Sequence, residues 1–150
     1  MIDNNISKLK GFMPKHEGTA LTKWSEEFSS IGPIMENGSY CGKSAMYLSK
    51  GAILNDQLVY TIDHHFGSEE HQINEEYFDN EIFDHKKQRV NTLPLLIKNI
   101  NKMQVENIVP IISNSVVIAS NWNTELGMVF IDGGHSFKAA NDDYESWNIK

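Results

Sequence analysis

The stretch Ile34-Met35-Glu36-Asn37-Gly38-Ser39-Tyr40-Cys41-Gly42-Lys43-Ser44 constrains the fold of this chain more than any other. An apolar start, an acidic stop and two spaced glycines before a helix-forming run predict a strand that turns sharply into a helix. Glycines at 38 and 42 admit backbone angles and close main-chain approach that a Cβ forbids. The first N–H groups of the helix opening near Gly42 have no partner within the helix and can face a ligand. The segment thus has the layout of a nucleotide-type cofactor site, and a plain structural turn is the competing reading.

Two residues separate the cofactor classes. Glu36, at the strand end, would repel a pyrophosphate but suits a cationic amino-acid group or a ribose hydroxyl. Tyr40 stands where the dinucleotide fingerprint needs its middle glycine. Both favour S-adenosylmethionine over a nicotinamide dinucleotide.

The rest of the chain supplies the frame for such a turn. Leu21, Trp24 and Phe28 share one helical face before the first strand, and Ser44 to Lys50 predicts a short helix ending near Gly51. Leu58 to Ile62 is a continuous β-prone run that stops at Asp63. From His64 to about Val90 the chain is polar and aromatic-studded without periodicity, a length at which loops are functional or disordered. Thr92 is placed to cap a helix with Pro94 in its first turn, and Leu93, Leu96, Ile97, Ile100 and Met103 line one face. Ile108 to Ile112 predicts a third strand, with Pro110 marking an edge or an irregularity. A helix near Val116 to Trp122, a strand over Leu126 to Ile131 and a last helix around Phe137 to Trp147 complete the pattern.

Strand and helix therefore alternate about four times, which predicts one α/β domain with a mostly parallel, Rossmann-like sheet and flanking helices. At 150 residues the chain is too short for two ordinary domains. Ligands in such sheets lie beyond the carboxyl ends of the strands, where Glu36, Asp63, Ser113 and Asp132 fall. Asp63 follows Gly42 by 21 residues, the spacing at which an acid reaches ribose hydroxyls; a loop-capping Asp is the alternative. Asp132 and His135, around Gly133-Gly134, can orient or deprotonate an acceptor, and Asp132 is also a conceivable metal ligand; a helix-capping turn is the alternative. His64, His65, Glu69, Glu70 and His71 hold metal-ligating groups, but their spacing matches no ligand motif, so a solvated loop is preferred. Cys41 has no evident activating partner, and the three Trp residues read as packing groups.

Composition excludes several partners. The formal charge of −7 comes from 13 basic against 20 acidic residues, and the basic residues cluster only at Lys86, Lys87 and Arg89, so nucleic acid is not expected as a ligand. One cysteine excludes an internal disulfide framework. No apolar run approaches the roughly 18 to 20 residues of a membrane span, and the amino terminus lacks a signal-peptide core. A cytoplasmic protein without a membrane partner is the expectation.

Glu36-x-Gly38-Ser39-Tyr40-Cys41-Gly42-Lys43-Ser44, Tyr60-Thr61-Ile62-Asp63-His64-His65, Gly67-Ser68-Glu69-Glu70-His71-Gln72 and Phe130-Ile131-Asp132-Gly133-Gly134-His135-Ser136 occur in order. Together they resemble a class I S-adenosylmethionine-dependent methyltransferase, most closely the methyltransferase 24 family, over about residues 11–147. The resemblance implies that Glu36, Gly38, Ser39 and Gly42 hold the methionine part of the cofactor. It also implies that Asp63, with His64 beside it, holds the ribose, and that Asn114 and Ser115 flank the adenine. Glu17 resembles part of the segment that closes over the cofactor, while Asp132 and His135 match the signature near the acceptor. The implied reaction is methyl transfer to an oxygen or nitrogen of a small molecule, with a divalent metal as an unsupported option.

Two departures accompany the likeness. Asn37 replaces an apolar residue and puts an amide into a buried strand, where it needs a partner. The chain also stops at Lys150, where relatives continue into further strands, so the C-terminal strands of the full fold are expected to be missing. An open sheet edge would then favour a homo-oligomer. The alternative functions are a catalytically silent cofactor-binding or assembly module and, less favoured, a nicotinamide oxidoreductase.

Overall fold

A computed structural model describes residues 5–148. Helix α1 (Lys15–Phe28) precedes strand β1 (Ile34–Asn37) and helix α2 (Lys43–Ala52). Strand β2 (Val59–Asp63) leads into a long excursion that contains a short antiparallel ribbon, β3 (Phe83–Asp84) and β4 (Arg89–Val90). Helix α3 (Leu93–Met103), strand β5 (Ile108–Ile112), helix α4 (Ser115–Asn121), strand β6 (Met128–Ile131) and helix α5 (Phe137–Trp147) follow. The main sheet has the order β5-β2-β1-β6, and every pairing in it is parallel. This is the expected Rossmann-like α/β arrangement.

Alternation along the strands sends side chains to two helical layers. Ile34 and Val59 pack with Ala45, Leu48 and Leu21 on the α1/α2 side, whereas Met35 and Ile62 pack with Ala119 and Trp147 on the α4/α5 side. β1, flanked on both edges, is fully buried. β5 carries Pro110 and lies at the sheet edge, where a missing N–H donor is tolerated.

Several local expectations need correction. In α1 the buried face is Gly18, Leu21 and Ser25, while Trp24 is 53% exposed and Phe28 37%. Small residues face inward there because α1 lies close on α2: a Cβ on Gly18 would fall 2.2 Å from the Tyr47 ring, and one on Gly51 2.3 Å from the Thr22 carbonyl. Gly51 is thus a contact point inside α2 rather than its stop signal. Thr92 does not cap α3 through its side chain; its hydroxyl meets the buried His65 ring at 2.7 Å. The aperiodic excursion after β2 folds over the first Gly turn, burying Cys41 with Ile82, Phe83 and Val90.

Candidate functional site

The carboxyl ends of β1, β2, β5 and β6 open into a cleft of about 930 Å³. Its floor is the turn after β1. Gly38 has φ +96°, and its N–H donates to the Ile62 carbonyl at 2.8 Å. A Cβ at this position would sit 2.1 Å from the Asp132 carbonyl oxygen, so the glycine lets the β1 turn pass against the end of β6. Gly42, at φ +85°, donates its N–H to the Ser39 carbonyl and leaves room for Leu96 of α3. Both glycines are thus required by the protein's own packing, whatever a ligand adds.

Asp63 joins the turn to the second strand. One carboxylate oxygen accepts from the Tyr40 N–H at 2.9 Å, and the other accepts from the His65 N–H at 2.7 Å. Tyr40 and His65 both have positive φ, and the shared carboxylate holds these two unfavourable bends in place. Each oxygen keeps a second lone-pair direction for a further donor. His64 accepts from the Phe66 N–H through Nδ1 at 3.0 Å, which places its proton on Nε2 in the neutral ring.

Glu36 does not reach the cleft. It is fully buried beneath the turn, where Thr61 donates to its carboxylate and Ser39 in turn bonds the Thr61 hydroxyl. Loss of water pushes its carboxyl up to about 7, with the Ser44 and Thr61 hydroxyls opposing and Asp132 and Asp63 reinforcing the rise. Ser39 and Ser44 line the cleft above it.

The opposite wall is made by Asp132, Gly133, Gly134 and His135, joined by Glu17 from α1. Asp132 is open to the cleft but shadowed by its walls; desolvation raises its carboxyl above the usual range, His135 lowers it and Glu17 raises it further. Asn114 and Ser115 line the cleft at the start of α4. The Asn114 side chain caps that helix by accepting from the Val116 N–H at 3.0 Å, and the Ser115 hydroxyl accepts from Trp147 Nε1 at 2.7 Å.

Of the residues anticipated from sequence, Glu17, Gly38, Ser39, Asp63, His64, Asn114, Ser115, Asp132 and His135 meet in this one cleft, and Glu36 and Gly42 lie beneath it. Phe12, Tyr40, His71 and Tyr77 add an aromatic wall, with Phe12 and Tyr77 ring centroids 5.3 Å apart. Phe12 lies in a polar amino-terminal stretch and Tyr77 in the aperiodic excursion, so only their aromatic character among polar neighbours signals them. The excursion's histidines serve separate partners: His65 meets Thr92, and His71 meets the Ser68 hydroxyl at 2.7 Å. Among the described residues, no group of three or more His, Cys, Asp or Glu is arranged to hold a metal ion. No helix among them is long and apolar enough to cross a membrane.

A family model described as a methyltransferase domain matches residues 35–149. Among solved structures, cofactor-bound Rv0187 from MTB superposes with a TM-score of 0.57 at 13% identity, over 88% of this chain and 50% of that one. SAH-bound PaMTH1, a methyltransferase of Podospora anserina, gives 0.52 at 12% identity, over 99% of this chain and 63% of that one. At these identities the superpositions concern the fold, and the chain spans about half to two thirds of the solved chains it resembles.

Proposed function

The chain belongs to the methyltransferase-domain family, and we propose on that premise that its cleft binds S-adenosylmethionine and passes the methyl group to an oxygen or nitrogen of a small-molecule acceptor. The observation that carries this reading is Asp63. A carboxylate fixed by two backbone N–H groups at the end of β2, across from the Gly38 turn, is preorganised to accept both hydroxyls of a ribose. The cleft volume, about 930 Å³, lies in the range of small-molecule sites.

A bound sulfonium supplies a methyl group that is already activated. The chain's own residues then have three tasks: to position, to exclude water and to manage one proton. Asp63 would hold the ribose, with the His64 Nε2–H as a neighbouring donor. The Gly38-Ser39 backbone, with Glu17 opposite, would cradle the cationic amino-acid end. The aromatic wall of Phe12, Tyr40, His71 and Tyr77 offers an apolar face to the reacting methyl or the acceptor ring. Asp132, with its carboxyl raised above the ordinary carboxylate value by desolvation, would accept a proton more readily than an ordinary Asp, and His135 stands beside it to share the charge.

The test is calorimetric titration with S-adenosylhomocysteine, with NADH as control and Asp63→Ala alongside. Saturable binding that Asp63→Ala abolishes supports the reading, and a folded chain that binds NADH instead overturns it. Binding without methyl transfer across an acceptor panel would favour the silent module.

A further inference from the structure

One wall of the cleft is assembled from two pieces that lie far apart in the chain. Phe12 and Met13 belong to the strap that precedes α1, and Ser68, His71 and Tyr77 belong to the excursion after β2. The pieces meet ring to ring, with the Phe12 centroid 5.3 Å from that of Tyr77 and 6.1 Å from that of His71. One residue before this contact begins to line the cleft, Lys10 donates to the carboxylates of both Asp79 and Glu81, joining strap to excursion across 69 residues of chain. The two pieces are anchored differently. Ile6 and Leu9 of the strap are buried in the α1/α2 core cluster, Met13 packs against it, and the Lys43 ammonium donates to the Gly11 carbonyl at 3.2 Å. Residues 67–82 of the excursion are turns and single-turn helices, and the backbone bonds His71 N–H to Ser68, Phe78 N–H to Glu75 and Ile82 N–H to Asp79 all stay within that segment. Such a segment can shift as a unit without breaking its own bonds. Lys10 therefore grips a movable piece from a fixed one.

We propose that Lys10 is a positioning residue that latches the excursion to the strap and so gates the cleft: with its ion pairs made the wall is closed, and with them broken residues 67–82 move away and ligands exchange. The partner is preorganised, because the second Asp79 oxygen accepts the Glu81 N–H at 2.8 Å and fixes the carboxylate that Lys10 meets. A partly exposed ion pair is weak beside a buried core and is screened by salt. That strength suits a reversible latch and is too small to hold the fold together. The latch is a property of the free chain, whereas the identity of what passes it rests on the reading of the cleft as an S-adenosylmethionine site. Cys41 reports the latch without any ligand. Its cover includes Phe78 and Ile82, which adjoin Asp79 and Glu81, and Lys10, Asp79 and Glu81 all lie near enough to act on its charge. When the excursion lifts, the thiol is uncovered.

The experiment measures Cys41 labelling by a neutral thiol reagent, iodoacetamide, in the wild-type chain, Lys10→Met and Lys10→Arg. Met keeps the apolar stem and removes the charge, whereas Arg keeps the charge. Lys10→Met should label roughly 3- to 10-fold faster, Lys10→Arg should return toward the wild-type rate, and the urea midpoint should barely move. Loss of a nearby cation by itself makes a thiol less ionised and slower to react, so a faster rate reports opening. Added salt should speed labelling of the wild type and leave Lys10→Met unchanged. Stopped-flow binding of S-adenosylhomocysteine gives a second signature: Lys10→Met should raise the association and dissociation rates together by about the same 3- to 10-fold, with the dissociation constant within about 2-fold, as a gate requires while the closed form remains the majority. Labelling that is unchanged in Lys10→Met, or that rises only in proportion to a fall in the urea midpoint, overturns the latch. A faster dissociation rate alone, with affinity lost to match, overturns it too and makes Lys10 a support of the bound state. If Lys10→Met does not fold, the salt dependence of wild-type labelling decides, and a rate independent of salt overturns the latch. A wild-type chain that binds no S-adenosylhomocysteine overturns the function reading, while labelling still decides the latch.

Discussion

The Asp63 carboxylate accepts the Tyr40 backbone N–H at 2.9 Å, tying the end of β2 to the crest of the Gly turn 23 residues earlier. Its other oxygen takes the His65 N–H, so one side chain holds two backbone segments with positive φ. The residue expected to bind ribose is therefore also a structural clamp, and the two roles separate by experiment. Asp63→Ala removes both bonds and should lower stability by about 2 to 3 kcal/mol, read as a lower urea midpoint. Asp63→Asn keeps one carbonyl acceptor and should recover part of that stability while still binding S-adenosylhomocysteine poorly.

Gly38→Ala should be among the most damaging single-methyl changes in the chain. The added Cβ meets the Asp132 carbonyl oxygen at 2.1 Å and the backbone holds φ at +96°, so neither the space nor the conformation suits an L side chain. A loss of roughly 2 to 4 kcal/mol is expected from the combined clash and backbone cost. Chemical denaturation measures it. Because the clash pushes on the end of β6, ligand binding should fall even at temperatures where the variant stays folded.

The parallel fold was legible because its signals are local. A β-prone run ending in Asp63, Pro94 in a first helical turn and Pro110 in an edge strand each act through backbone geometry that a sequence displays. What escaped reading depends on contacts between distant segments. Gly51 reads as a helix stop, yet it and Gly18 let α1 and α2 approach, and Trp24 looks like a core residue yet faces out. The site divides in the same way. Asp63 and Asp132 reach the cleft because they stand at strand ends, whereas Glu36, assigned to the cofactor by motif position, is level with Thr61 and Phe130, two residues short of those acids, and is buried beneath the Gly turn.

Cys41 should be inert in the native state. It is fully buried among Ile82, Phe83 and Val90, and desolvation pushes its thiol up to about 12, so almost no thiolate exists at neutral pH. Labelling by a thiol-reactive chromogen should proceed at the rate of local or global opening and become fast in denaturant. Fast native labelling would show that the ribbon over the Gly turn opens readily, because Cys41 is reached only when that cover lifts.

Glu36 should give the fold a measurable pH dependence. Its carboxyl has an ordinary value of 4.5 and is raised to about 7 by burial, so between these limits the folded chain holds a proton that the unfolded chain has released. Stability therefore falls as pH rises from about 4.5 to about 7, by up to about 3 kcal/mol, and stays at the lower level above that window. His65 acts with the opposite sign. Desolvation lowers its pKa, with His64 adding to that effect and Asp63 opposing it, so its contribution is lost as pH falls below about 6.5. The two trends partly cancel in the wild type, and the informative quantity is the difference from Glu36→Gln. That variant carries no ionisable group at position 36 and keeps an acceptor for Thr61, so its advantage over the wild type should grow steadily between pH 5 and 7.5 and then level off. Urea midpoints across this range measure the trend, and a difference independent of pH would mean that Glu36 stays ionised in its buried site.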